Sequence, residues 1–150
     1  MNRRMKLKKL KSIEKKADEV WIVSPDLYYD TENDEFKNIV KHNLHRKAKY
    51  RYIVPATRSV MKHIAKYQKD QTIPKDIAKE MFLILPPTEF NPFLNELAIY
   101  NPNGKKPVAC LSVWKECNED DELISYDAKF TKELIKSYKA LWKKYKRESL

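Results

Sequence analysis

The sequence predicts a single α/β domain: a mixed, mostly parallel sheet of about five to six strands flanked by helices, with a β-hairpin and a long C-terminal helix. Three observations carry this expectation. Residues 20–24 and 50–55, Val-Trp-Ile-Val-Ser and Tyr-Arg-Tyr-Ile-Val-Pro, are β-branched and aromatic runs separated by an amphipathic helical pattern, which makes one βαβ unit. A second helical pattern, Val60, Met61, Ile64 and Tyr67, follows, so right-handed crossover makes the two strands parallel. Residues 96–100 and 108–114 then flank Asn101-Pro102-Asn103-Gly104, a hairpin signal holding the one glycine of the chain, where a positive φ is expected.

Each element has its own reason. Residues 3–18 read as a basic helix with a narrow apolar edge of Leu7, Leu10, Ile13 and Ala17, so residues 1–16 are expected to be an appendage to a domain spanning 17–150, and removing residues 1–15 is expected to leave that domain folded. In the crossover helix Phe36, Ile39, Val40 and Leu44 share a face, and Thr31 is the expected N-cap. Pro74 opens a short helical turn. Residues 81–85 are continuously apolar, as a central strand covered on both faces would be, and Pro86-Pro87 ends them. Residues 86–95 form a loop that packs down, and residues 116–122 an acidic, solvated loop. Residues 123–126 read as a last short strand. Asp127 is the expected N-cap of a terminal helix with Phe130, Leu134, Tyr138, Leu141 and Tyr145 along its apolar stripe.

The net charge of +10 is concentrated at the ends. Residues 1–16 hold eight Lys or Arg against Glu14 alone, and residues 128–148 hold eight against Glu133 and Glu148, which leaves the middle slightly acidic. Such ends are either solvated helix faces or phosphate-binding surfaces; Arg3, Arg4, Lys8, Lys9, Arg46, Lys47, Lys143 and Lys144 are the candidate nucleic-acid contacts. Cys110 and Cys117 have neither CxxC spacing nor nearby histidine partners, so reduced thiols are expected. No run approaches eighteen apolar residues and no apolar stretch follows the N-terminal charges, so a membrane span and a secretory signal are not expected and a cytoplasmic location is.

No catalytic motif stands out. One glycine cannot build a phosphate-binding loop, which removes Walker-type and dinucleotide-binding readings. His42, His45 and His63 read as surface residues. Asp26 follows a buried strand and a proline at the strand's carboxyl end, where open α/β sheets hold ligands; its alternative role is to cap a turn. With Ser24 and Glu96 it makes a candidate ligand-binding set. A metal-dependent phosphodiesterase using Asp26 with Glu89 or Glu96 is one alternative reading, and a sensor of small anionic ligands is another. Tyr50 and Tyr52 share a strand face and Arg51 takes the other, so the tyrosines are expected in the core. No metal and no cofactor are expected.

Glu19-Val20-Trp21-Ile22-Val23-Ser24-Pro25-Asp26-Leu27, Ile39-Val40 to Asn43-Leu44-His45-Arg46, Lys49 to Pro55 and Glu96 to Pro102 resemble the phospholipase D-like modules of small bacterial proteins, which often lie behind a helix-turn-helix region. The resemblance covers roughly residues 14–145 and implies a mixed sheet between helices. Active members carry His-x-Lys followed four residues later by Asp. Here the only His-x-Lys is His45-Arg46-Lys47, and Tyr52 stands where the Asp is required, so no residue transfers as catalytic. The resemblance therefore implies a degenerate, non-catalytic regulatory or interaction module of a bacterium or mobile element, with nucleic acid, a protein partner or a second copy as its partners.

Overall fold

The structure is a computed structural model that describes residues 2–90, 95–112 and 121–150. The elements in chain order are β1 (Arg3–Lys6), α1 (Leu7–Lys16), β2 (Glu19–Val23), α2 (Tyr29–Glu32), α3 (Asp34–His45), β3 (Lys49–Pro55), α4 (Arg58–Asp70), α5 (Lys75–Met81), β4 (Phe82–Leu85), β5 (Leu97–Tyr100), β6 (Val108–Leu111), β7 (Glu122–Ser125) and α6 (Ala128–Lys146). The strands form one seven-stranded sheet in the order β1-β7-β6-β5-β2-β3-β4.

The βαβα expectation holds. β2 and β3 are parallel, with Val20 opposite Tyr50 and Ile22 opposite Tyr52, and β3 is parallel to β4. The sheet is nevertheless larger than expected and mixed rather than mostly parallel, because β1-β7, β7-β6, β6-β5 and β5-β2 all pair antiparallel. Among the described residues the crossover helices lie between β2 and β4, whereas β5 and β6 are joined by a hairpin turn, which reverses direction.

Alternation along the strands divides the core. Val20, Ile22, Tyr50, Tyr52 and Val54 face a layer made by α1, α2, α3, α4 and α5, whereas Trp21, Ile53, Leu83, Ile99 and Ala109 face α6. On the second face Trp21 stacks on Tyr138 with ring centroids 4.8 Å apart, Tyr138 stacks on Trp142, and the Arg51 guanidinium lies 5.6 Å from the Trp142 ring.

Several local expectations change. Residues 3–6 are not helix but edge strand β1, in register with β7 from Arg3 opposite Ser125 to Lys6 opposite Glu122. The N-cap of α3 is Asn33, whose side chain accepts from the Phe36 amide at 3.0 Å, and Thr31 lies inside α2 with its hydroxyl donating to the Leu27 carbonyl. β4 is an edge strand, which is why Ile84 is 39% exposed in an otherwise buried run. Asn101 rather than Gly104 takes the positive φ of the β5–β6 turn, at 50°. Gly104 donates to the Asn101 carbonyl at 2.9 Å, and a Cβ on it would stand 3.2 Å from that oxygen, a close contact that the turn would have to relax to accept.

Asp127 caps α6 as expected, accepting from the Phe130 amide at 2.8 Å. The buried stripe of α6 is rotated to Thr131, Ile135, Tyr138 and Trp142, and Phe130 is 41% exposed. The expected strand end at Val113 and Trp114, Cys117, most of the acidic loop and residues 91–94 of the 86–95 loop lie outside the described residues.

The N-terminal segment is integral to this fold. β1 supplies a strand, and α1 buries Leu7, Leu10 and Glu14 against the sheet. Burying two leucines is worth about 3–6 kcal/mol before entropy is counted. Deletion of residues 1–16 is therefore expected to lower stability by at least about 3 kcal/mol or to abolish cooperative unfolding, measured by circular dichroism melting and size exclusion. A truncated chain melting at the full-length midpoint would restore the appendage view.

Candidate functional site: a carboxylate and tyrosine cavity

The carboxyl end of β2 is where the predicted ligand-binding residues meet. Register places Val23 opposite Leu97, so Ser24, just past β2, and Glu96, just before β5, come to the same edge of the sheet. The Ser24 hydroxyl accepts from the Leu27 amide at 2.8 Å, which holds Leu27 at a φ of 57° and folds the chain back over the sheet. Asp26 closes the same turn: its Oδ1 accepts from the Tyr28 amide at 3.1 Å, and its backbone carbonyl accepts from His63 Nδ1 at 2.6 Å. A carbonyl accepts only, so His63 carries its proton on Nδ1. His63 is tucked in, its side chain 19% exposed with Nε2 3.5 Å from Glu32, rather than lying on the surface as expected. His42 and His45 are exposed, as expected.

The tight turn delivers Asp30 on α2 to the buried face, where it meets a second acid that the sequence reading passed over. Glu14 of α1 accepts from the Tyr100 hydroxyl at 2.9 Å and the Tyr50 hydroxyl at 3.0 Å. Asn43 donates to Tyr50 at 2.8 Å and to the Glu14 backbone carbonyl at 2.7 Å. Asp30 Oδ2 accepts from Tyr52 at 2.6 Å, and the Tyr67 hydroxyl is 2.9 Å from that of Tyr52. A phenol has one proton, and the proton of Tyr52 goes to Asp30, so Tyr67 donates to Tyr52.

Glu14, Asp30 and Glu96 line one cavity of about 40 Å³, walled by Leu10, Ile22, Tyr29, Phe36, Ala98, Tyr100 and Cys110 among others. Its environment favours the neutral acids. Burial and then the neighbouring Asp30 push Glu14 up from 4.5 to about 8, against the opposing pull of its two phenol donors. Burial likewise pushes Asp30 up from 3.8 to about 6, although Tyr52 pulls the other way. Glu96 is held well above the usual carboxylate range by burial and the charge of Asp30, partly offset by the Ser24 hydroxyl. Its Oε1 is buried with no hydrogen-bond partner. Three carboxylates with raised pKa around one cavity make it the candidate site of this fold, although Glu14 also ties α1 to the sheet through Tyr50 and Tyr100.

Other predicted site residues lie elsewhere. Glu89 is exposed on a 3-10 turn (Pro87–Glu89) after β4, two strands from β2, so it does not join Asp26 and Glu96. Among the described residues no group of three His, Cys, Asp or Glu is placed to hold a metal ion. Arg46 is committed to structure: it donates to the carbonyls of Lys15 and Ala17 at the end of α1, to Asn43 Oδ1 at 3.1 Å, and to Asp18 at 3.3 Å. It satisfies backbone acceptors that the helix end leaves open. Arg3, Arg4, Lys8, Lys9 and Lys47 are exposed, as are Lys143 and Lys144. However, α1 and α6 cover opposite faces of the sheet, so the basic terminal helices do not form one surface.

Glu14 was legible in one respect: it is the lone acid of a lysine-rich helix and falls at i+4 from Leu10 and i+7 from Leu7, on the apolar edge. No comparable signal marks Asp30, which depends on the Ser24 turn. Comparison with family models, with curated proteins and with solved structures finds no match for this chain.

The raised pKa of Glu14 makes stability pH-dependent. The folded chain retains a proton that the unfolded chain releases near 4.5, so this contribution is fully present below about 4.5 and is lost as the pH rises through about 8. Asp30 acts in the same sense between 3.8 and about 6. Glu14→Gln cannot ionise. Its stability relative to the native chain is expected to improve by about 2–4 kcal/mol between pH 4.5 and 8.5, measured by urea unfolding. Parallel pH profiles for the two proteins would contradict this assignment.

Proposed function

We propose that the protein is a non-catalytic nucleic-acid-binding module, with α6 as its contacting element. The carrying observation is a single ridge of cations on the solvent side of that helix. Lys129, Lys132, Lys136, Lys139 and Lys143 recur at intervals of three and four, so they line one face over about 21 Å. All but the half-buried Lys139 are exposed, and among the described residues none is ion-paired. Glu133 is the only acid on the helix.

Such a ridge follows a phosphate backbone, and binding releases the counterions condensed on it. The same helix is poorly suited to lie in a membrane surface, because its apolar face, Ile135, Tyr138 and Trp142, is already buried on the sheet. Phe130, exposed beside Lys129, offers a ring for base stacking. The absence of an intact His-x-Lys and Asp pattern, from the resemblance to phospholipase D-like modules, supports binding without turnover. A metal-dependent phosphodiesterase is less well supported, since Glu89 stands apart from Asp26 and Glu96.

The test is fluorescence anisotropy of labelled single- and double-stranded DNA and RNA at several salt concentrations. The native chain is expected to bind with a logarithmic salt slope of about −3 to −5. Replacing Lys132, Lys136 and Lys143 by Glu should weaken binding at least about thirtyfold and flatten the slope by about 3, while Lys8→Glu with Lys9→Glu on the opposite face should leave the affinity within about twofold. No binding at low salt, or binding insensitive to the α6 reversals, would overturn the proposal.

A further inference from the structure

β4 ends the sheet, so among the described residues one side of its backbone has no strand beside it. The Leu85 carbonyl accepts from the Ala56 amide at 2.8 Å, which turns Leu85, and by alternation Leu83, toward β3. Phe82 and Ile84 therefore direct their backbone groups outward. The Phe82 amide is taken by the Ala78 carbonyl at the end of α5, which leaves the Phe82 carbonyl and both backbone groups of Ile84. Among the described residues none of these three has a partner. Beside them runs a groove of about 520 Å³. Met61 and Ile64 of α4, Ala78 of α5 and Ile84 make its apolar wall, and Met61 is 49% exposed. The charges lining it are all of one sign, those of Lys75, Lys79 and Lys146. Lys75 and Lys79 are exposed and, among the described residues, not ion-paired. Lys146 donates to the Lys79 carbonyl at 2.5 Å, which sets both residues near the amino end of β4. Glu80 and Glu148 act on Lys146 from nearby, but neither lines the groove.

We propose that this edge binds an extended peptide segment of another protein, apolar at its centre and acidic at its end, added to the sheet as a strand beside β4. An unpaired strand edge is a template for one more strand, and main-chain bonds to Ile84 and Phe82 hold it. Four residues span about 13 Å, which matches a segment of four or five residues. Its apolar side chains lie against Met61 and Ile84, where the unbranched Met61 adapts to their shape. Its carboxylate meets Lys79 and Lys146. A short strand ringed by lysines is also protected against aggregation, but that protection does not explain why Ile84 and Met61 are exposed. A second copy fits less well. Pairing β4 with itself would set the three cations of one groove against the same three of the other, between chains of net charge +10. The surface is independent of the α6 ridge and of the nucleic-acid reading.

The probe is the pentapeptide Glu-Val-Leu-Val-Glu, amidated at its carboxyl end and fluorescein-labelled at its amino end, titrated with the full chain by fluorescence anisotropy at low salt. An acid at each end lets it pair in either direction. Saturable binding is expected, and exchanging both acids for lysine should weaken it at least about tenfold. Methylating the three central amide nitrogens keeps the charge but removes the strand's donors, and should weaken binding at least about tenfold as well. In the protein, Lys75→Glu with Lys79→Glu changes two exposed side chains and should cost at least about tenfold in affinity. Ile84→Glu should do the same, and the lysine pair serves if Ile84→Glu fails to fold. No saturable binding, equal affinity for the lysine or the methylated peptide, or affinity unchanged in the folded variants would overturn the proposal. So would a dimer in sedimentation equilibrium that Ile84→Glu dissociates, since the edge would then belong to a second copy.

Discussion

The carboxyl group of Glu14 is the joint on which this architecture turns. It stands on α1, takes hydroxyl protons from Tyr50 on β3 and Tyr100 on β5, and is backed by Asn43 of α3 through Tyr50 and through its own backbone carbonyl. Four elements distant in sequence therefore share one polar node. A buried acid is costly unless its oxygens are bonded, and removing one partner would leave others unsatisfied, so the node acts as a unit. Arg46 adds a second clasp by closing the carbonyl end of α1. Together they explain why a helix with a thin apolar stripe belongs to the domain rather than trailing from it.

The two faces of the sheet do different work. One holds an array of tyrosines, Tyr50, Tyr52, Tyr67 and Tyr100, whose rings fill the core while their hydroxyls serve the acids. The other is closed by a single helix through a ladder of aromatic rings, Trp21, Tyr138 and Trp142. Among the described residues α6 is the helix that covers that face, and Lys129, Lys132, Lys136 and Lys143 on its outer side are exposed. The acidic interior and the basic exterior are separated by the sheet.

Of the three acids that line the cavity, Glu96 alone was read from the sequence as a site residue, and neither Ser24 nor Asp26 lines it. Ser24 and Asp26 follow from a strand that ends in Ser-Pro-Asp, and Glu96 from a strand start, but only the antiparallel pairing of β5 with β2 brings them together. Asp26 keeps the turn-capping role, and Asp30, four residues on, is the acid the turn carries inside. The basic residues read as one population separate into Arg46, spent on backbone carbonyls, Lys8 and Lys9 over one face, and the α6 ridge over the other. Local composition does not say which cations find intramolecular acceptors. That depends on which carbonyls and carboxylates the fold leaves within reach.

Local sequence by itself determined α3, α4 and α6, the β2-α3-β3 crossover, the hairpin and the cap of α6, because each is set by residues a few positions apart. The core placement of Tyr50 and Tyr52 belongs to the same class, as alternation along a strand is a local property. Only the tertiary structure decided the antiparallel half of the sheet, the edge position of β4, the strand nature of residues 3–6 and the shared cavity of Glu14, Asp30 and Glu96. Pairing partners and burial are non-local: β1 exists because β7 lies beside it, and Glu14 holds its proton because distant elements exclude water around it and place Asp30 nearby.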